Sequence, residues 1–251
     1  MIISLNLKNY RSYKGEAAYT LEASSSKAKE ANYAEINGIK ILKTSLMYGP
    51  NASGKSNIVK AFYELRNLII KKPKIEDSLV IYDPFKFDVT SNNNPVEIEV
   101  ECLIEKIRYK YSVKIGPGQV LEEKLIYFPM NREAILFERD PLNESSNIQT
   151  GHLGDKFGKK EITVFENQLL LSKFGDDVPH EIISKVFLYF KRMYVYNATN
   201  KIHYEVLNAQ ISKKLVKDGF LKSKLEKLLN YADTKINGIE VEGSDSLNRN
   251  L

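Results

Sequence analysis

The sequence predicts an α/β protein, a mixed sheet flanked by helices with an antiparallel β-meander inserted into it. Three features lead there. Residues 1–48 alternate as strands do, residues 56–70 repeat apolar side chains at helical spacing directly after a glycine-bounded run, and residues 96–127 are dense in β-branched and aromatic side chains. At 251 residues the chain is at the upper edge of what one core supports, so one domain with a large insertion, or two apposed lobes, is expected.

In order along the chain, Ile3, Leu5 and Leu7 alternate with Ser4, Asn6 and Lys8, the period of a half-buried strand. Asn9 to Gly15 then turns the chain into a second run around Ala18 to Leu21, giving an opening β-hairpin. Asn37-Gly38 has the chemistry of a two-residue turn, and Ile39 to Tyr48 reads as a strand covered on both faces. Ile58, Phe62, Leu65 and Ile69 mark a helix that Lys71-Lys72-Pro73 stops. Val96–Ile104, Ile107–Ile115 and Val120–Tyr127 form the meander, with Gly116-Pro117-Gly118 between the last two runs. Ala134 to Phe137 adds a strand, and Pro141 to Lys160 is a polar loop. Ile182, Val186, Phe187 and Phe190 form a helical stripe, followed by a short apolar strand at Met193 to Tyr196. From His203 to Tyr231 two helices break at Gly219, with Leu221, Leu225, Leu228 and Leu229 as the inward stripe of the second. The organisation expected is a core lobe over residues 1–72, a β-rich insertion over 73–165 and a helical, α/β portion over 166–251.

Composition removes several classes. With 43% hydrophobic and 27% charged residues, 13 Gly and 8 Pro, the chain is not collagen-like, disordered or of low complexity. The single cysteine, Cys102, has no internal disulfide partner, and three scattered histidines with one thiol do not make a zinc site. No window approaches 18 uninterrupted apolar residues and the start is not a signal peptide, so no membrane is expected and the cytoplasm is the expected location. A net charge of +5 permits a phosphate-bearing partner without requiring one. Lys213, Lys214, Lys217, Lys222, Lys224 and Lys227 read first as a solvated face and second as a DNA contact.

The chemistry lies in Gly49-Pro50-Asn51-Ala52-Ser53-Gly54-Lys55-Ser56, a complete match to the phosphate-binding pattern G-x-x-x-x-G-K-[ST] between an apolar run and an amphipathic helix. Such a junction aims backbone N–H groups and the positive end of a helix dipole at one anionic point. Gly49 and Gly54 permit close approach of the backbone, and Asn51, Ala52, Ser53 and Asn57 complete the cradle. Lys55 would bridge the β- and γ-phosphates of ATP, and the Ser56 hydroxyl would ligate Mg²⁺.

Taken with Ile2 to Lys8 and Asn9-Tyr10-Arg11-Ser12-Tyr13, this run resembles the amino-terminal half of AAA-class ATPases with ABC-type, SMC/RecF-like heads, many of them in bacterial defence and abortive-infection systems. The resemblance is strongest over residues 1–70 and continues through Asp83-Pro84-Phe85-Lys86-Phe87 and Leu169-Leu170-Leu171-Ser172. It implies a P-loop NTPase fold with Arg11 and Ser12 near the nucleotide; by themselves these two are turn residues. It also implies ATP-driven engagement of two heads through the nucleotide face, as a homodimer, or a nuclease or toxin partner.

Hydrolysis needs an acidic residue for Mg²⁺ and a group to orient water. Leu79-Val80-Ile81-Tyr82-Asp83 is the local match to an apolar strand ending in Asp, but it lies only 28 positions after Lys55 and runs into Pro84. Leu171 to Gly175 has a superficial likeness to an ABC signature, Gln168 reads first as a solvent-facing helix glutamine and second as a lobe-coupling glutamine, and Met193 to Tyr196 ends in Asn197 instead of Asp. The family's signature and Asp-Glu pair would lie beyond Leu251. The chain therefore reads either as an ATPase head lacking its carboxy-terminal Walker B half or as a shortened relative. ATP binding is expected with weak or absent hydrolysis; the alternative is a non-catalytic nucleotide-binding regulatory module.

Overall fold

The computed structural model describes residues 1–24, 29–74, 76–139, 146–148, 160–162, 164–177, 180–196, 201–232 and 238–241. Most of the expected 141–160 loop, and Asn197, lie outside the described residues. Two compact units divide the chain, residues 1–193 and 194–251.

In the first unit, β1 (Ile2–Lys8) and β2 (Ala17–Thr20) form the opening hairpin. The meander is β5 (Val96–Ile104), β6 (Ile107–Gly116) and β7 (Gln119–Phe128), continued by β8 (Ala134–Arg139), β9 (Ser146–Ile148) and β10 (Lys160–Ile162). These strands make one eight-stranded sheet in the order β10-β9-β8-β7-β6-β5-β1-β2, and every described pairing in it is antiparallel. Because β5 hydrogen-bonds directly to β1, the sheet of the opening hairpin and that of the meander are continuous.

Alternation gives the sheet two unlike faces. Leu5, Leu7, Ile98, Val100, Tyr111, Val113, Leu125 and Phe137 point into the core. They meet Ile58, Ala61, Leu65 and Ile69 of α1 (Lys55–Ile70), the short helical turn α2 (Leu170–Ser172), and Ile182, Ile183, Val186, Phe187 and Phe190 of α3 (Glu181–Arg192). The opposite face is charged and paired across neighbouring strands, with Lys8–Glu97 at 3.0 Å, Lys110–Glu99 at 2.8 Å, Lys114–Glu122 at 2.9 Å and Lys124–Glu138 at 2.8 Å.

A second, two-stranded sheet joins β3 (Tyr33–Ile36) to β4 (Ile39–Leu42) through Asn37 and Gly38, both at positive φ as a tight hairpin turn requires. Ile41 packs on Ile3 and Leu103 at the main sheet. The expected strand over 39–48 stops at Leu42: residues 43–50 are exposed and pair with no strand, so this part of the anticipated parallel or mixed arrangement does not form among the described residues. Residues 79–83 form a turn instead of a strand, and Met193 to Tyr196 lack strand pairing.

The second unit holds α4 (Lys201–Lys217) and α5 (Gly219–Tyr231), separated at Asp218, whose carboxylate caps α5 by accepting from the Leu221 N–H at 3.0 Å. Of the expected Leu stripe, Leu225 and Leu229 are half-buried while Leu221 and Leu228 are exposed.

One buried charge locks the first unit. The Glu123 carboxylate accepts from the N–H of Leu170 at 2.6 Å, the N–H of Leu171 at 3.0 Å and the Tyr111 hydroxyl at 2.8 Å, joining β7, β6 and the start of α2. Burial raises its pKa above the ordinary carboxyl value, with those three donors pulling the other way. Glu123→Ala strands them without an acceptor, and urea denaturation should show a loss of about 3 kcal/mol in unfolding free energy.

Candidate functional site

The glycine-bounded run joins the exposed segment 43–48 to α1. Ala52 at φ 63° and Gly54 at φ 92° take left-handed backbone that folds the run into a turn before α1 begins. Gly54 is the cap of α1: its carbonyl accepts from the Asn57 N–H at 2.7 Å. The N–H groups of Lys55 and Ser56, in the first helical turn, have no acceptor within the helix and carry the positive end of its dipole.

The Lys55 ammonium lies back across the turn. It donates to the carbonyls of Gly49 at 2.7 Å and Pro50 at 2.5 Å, and sits 3.4 Å from Ser53 Oγ. Asn51, Ala52, Ser53 and Ser56 are exposed, so both the rim of the turn and the Ser56 hydroxyl face solvent. An anion arriving here would meet amides without an acceptor inside the helix and a cation that, among the described residues, is held by neutral acceptors, which charged oxygens can replace with stronger, charge-assisted bonds.

The turn between β1 and β2 lies against this junction. Tyr10 and Tyr13 close it through reciprocal main-chain bonds of 2.9 Å. Ser12 Oγ accepts from Asn57 Nδ2 at 2.8 Å, and the Tyr13 hydroxyl donates to the Gly54 carbonyl at 3.0 Å. Arg11 is engaged otherwise: its guanidinium pairs with Glu64 of α1 at 2.5 Å and Asp83 at 3.1 Å, and also donates to the Tyr10 hydroxyl at 3.0 Å. Burial is the main cause that holds the Tyr10 hydroxyl far above its ordinary pKa, reinforced by its bond to Glu64. The structure thus brings Ser12, Gly54, Lys55 and Asn57 together and ties Arg11 to acidic partners. Tyr13, Tyr10 and Glu64 were not foreseen, because a hydroxyl reaching a main-chain carbonyl 41 residues away leaves no periodic signal.

Asp83 stands in a turn, paired with Arg11 and, at 3.0 Å, with Lys86. Among the described residues no three His, Cys, Asp or Glu side chains converge as a metal site. Gln168 is buried instead of solvent-facing, its carbonyl accepting from Arg139 at 2.8 Å, and Leu171 to Phe174 pack with the core around α2. A concavity of about 860 Å³ lies on the charged outer face of the sheet among Lys8, Glu97, Lys114 and Glu122. There Lys8 pairs with Glu97 and Lys114 with Glu122, so these lysines are already matched by carboxylates, unlike Lys55 at the Gly54 junction.

A glycine-turned helix start with a lysine folded over it, on an α/β core, belongs to the P-loop NTPase class. More narrowly, the family model described as "AAA domain, putative AbiEii toxin, Type IV TA system" matches residues 45–224, and the chain belongs to that family of AAA-type ATPases related to defence systems. No curated protein matches the chain. No described helix is long and apolar enough to cross a membrane.

Gly54 has no room for a side chain: a Cβ there would lie 2.7 Å from Ser12 Oγ and 2.9 Å from the Tyr13 hydroxyl, on a backbone that L-residues rarely adopt. Gly54→Ala should cost about 2 kcal/mol. A calorimetric Tm lowered by roughly 4–8 °C would register it.

Proposed function

We propose that residues 49–57 bind ATP with Mg²⁺ and that the chain acts as an ATPase head of the SMC/RecF-like ABC type in a defence system. The observation that carries this reading is the convergence, at one helix start, of the left-handed Gly54, the Lys55 and Ser56 amides, which have no partner among the described residues, and the Lys55 ammonium. In this reading the amides and Lys55 hold the β- and γ-phosphates, Ser56 supplies its hydroxyl to Mg²⁺, and Ser12 and Asn57 line the mouth. Gly49, Asn51, Ala52 and Ser53 shape the rim. Arg11 contributes through its bonds to Glu64 and Asp83, which hold the neighbouring turn on α1.

In this reading turnover by this chain alone is weak, because Asp83 and Glu64 are committed to Arg11. Engagement with a second polypeptide fits the surface beside the loop. Leu46 is 72% and Tyr48 83% exposed on a segment whose main chain pairs with no strand, so apolar area and backbone groups stand ready for a partner, whether a second copy or a toxin.

Titration with a fluorescent ATP analogue and Mg²⁺, alongside ATP-dependent thermal stabilisation, tests the reading. Lys55→Ala should weaken binding at least about tenfold and abolish the stabilisation, with little phosphate release from either protein. Affinity and stabilisation unchanged by the substitution would remove the reading at its first step.

A further inference from the structure

We infer that Tyr13 is a positioning residue of the phosphate loop: its hydroxyl, held by the β1–β2 turn, sets the direction of the Lys55 amide that receives the phosphate. The inference rests on the ATP reading above and concerns how that site is kept in shape.

A peptide unit is planar and trans, so the carbonyl of one residue and the N–H of the next point in opposite directions. Whatever fixes the Gly54 carbonyl therefore fixes the Lys55 N–H. That carbonyl has two acceptor lobes and both are used, by the Asn57 N–H at 2.7 Å and the Tyr13 hydroxyl at 3.0 Å. The first bond ties it into the helix, and the second ties it to a different part of the chain. With the carbonyl aimed into the helix, the Lys55 N–H is aimed out of its amino end, where an anion would sit. Glycine at φ 92° is the most easily reoriented backbone in the run, so an outside restraint has most effect here.

The restraint is itself braced. Tyr10 and Tyr13 close their turn with two 2.9 Å main-chain bonds, and the wholly buried Tyr10 donates its hydroxyl to Glu64 of α1 at 2.7 Å. The Arg11 N–H donates to the Asp83 carbonyl at 2.8 Å, and the buried Asn9 side-chain amide donates to the carbonyls of Ser91 at 2.8 Å and Asn94 at 2.9 Å. Asn9 Oδ1 accepts from the Phe85 N–H at 3.2 Å. Ser12, accepting from Asn57 Nδ2, adds a second contact to the first turn of α1. The Tyr13 hydroxyl thus hangs from a bracket fastened to α1 and to the segment 83–94. Partial burial raises its pKa, so it stays a protonated donor at neutral pH.

The test compares wild type with Tyr13→Phe, which keeps the ring and removes only the hydroxyl, using MgATP and inorganic tripolyphosphate as probes. Both affinities should fall by the same factor, about fivefold, while Tm moves by less than roughly 2 °C. In the ligand-free protein, hydrogen exchange at the Lys55 and Ser56 amides should change in the variant. Wild-type affinities retained by Tyr13→Phe for both probes would overturn the inference and leave the ATP reading intact. A loss confined to MgATP would also overturn it, since that points to the nucleoside and not the loop. Were wild type and Lys55→Ala alike to bind neither probe, the ATP reading would fall; the ligand-free exchange comparison would still decide whether Tyr13 holds the loop, unchanged exchange refuting it.

Discussion

Everything near the candidate site depends on one packing event, the burial of the apolar stripe of α1 against the sheet. Ile58, Ala61, Leu65 and Ile69 recur along one side of the helix and are all buried, so the helix has one rotational setting and one depth. Its amino end is thereby fixed in space. Glu64, on an adjoining side of the same helix, anchors Tyr10 and Arg11 of the β1–β2 turn. The turn returns to touch Gly54 and Asn57, so the helix start is held both by its own packing and by a loop from the first hairpin.

Much of this was legible in the residues. Where a segment meets its partners within the described chain, periodicity found it: the β1–β2 hairpin, the meander, α1, α3 and the break between α4 and α5 all stand where apolar spacing and turn chemistry put them. The failures share a cause. Ile39 to Tyr48 has the apolar density of a strand covered on both faces, but composition records what a segment would bury, not whether neighbouring strands are there to bury it. Leu46, Met47 and Tyr48 stay exposed for that reason. Leu79 to Asp83 looked like a strand with an acidic tip; Leu79 and Ile81 are indeed buried, but on a turn, with the acid drawn off to Arg11. The phosphate motif was plain at once. What props it was invisible, because side-chain bonds to distant backbone follow no spacing rule.

Charge is distributed to suit these roles. On the outer face of the sheet, lysines and glutamates stand opposite each other across neighbouring strands, a solvated arrangement that contributes little per pair and keeps that face from gathering anions. Inside, Glu123 accepts from three donors on two elements, β6 and the start of α2, and unites the meander with the helical side of the core. At the mouth of the loop the pattern changes: among the described residues the Lys55 ammonium bonds to neutral oxygens.

The seating of Lys55 has a bearing on selectivity. Its cation bridges two main-chain carbonyls and so draws the turn into a ring, and a ligand competing for it must offer acceptors stronger than neutral oxygens. Under the nucleotide reading, linked phosphate groups would meet the ammonium and the helix amides together, a reach that a single small anion would lack.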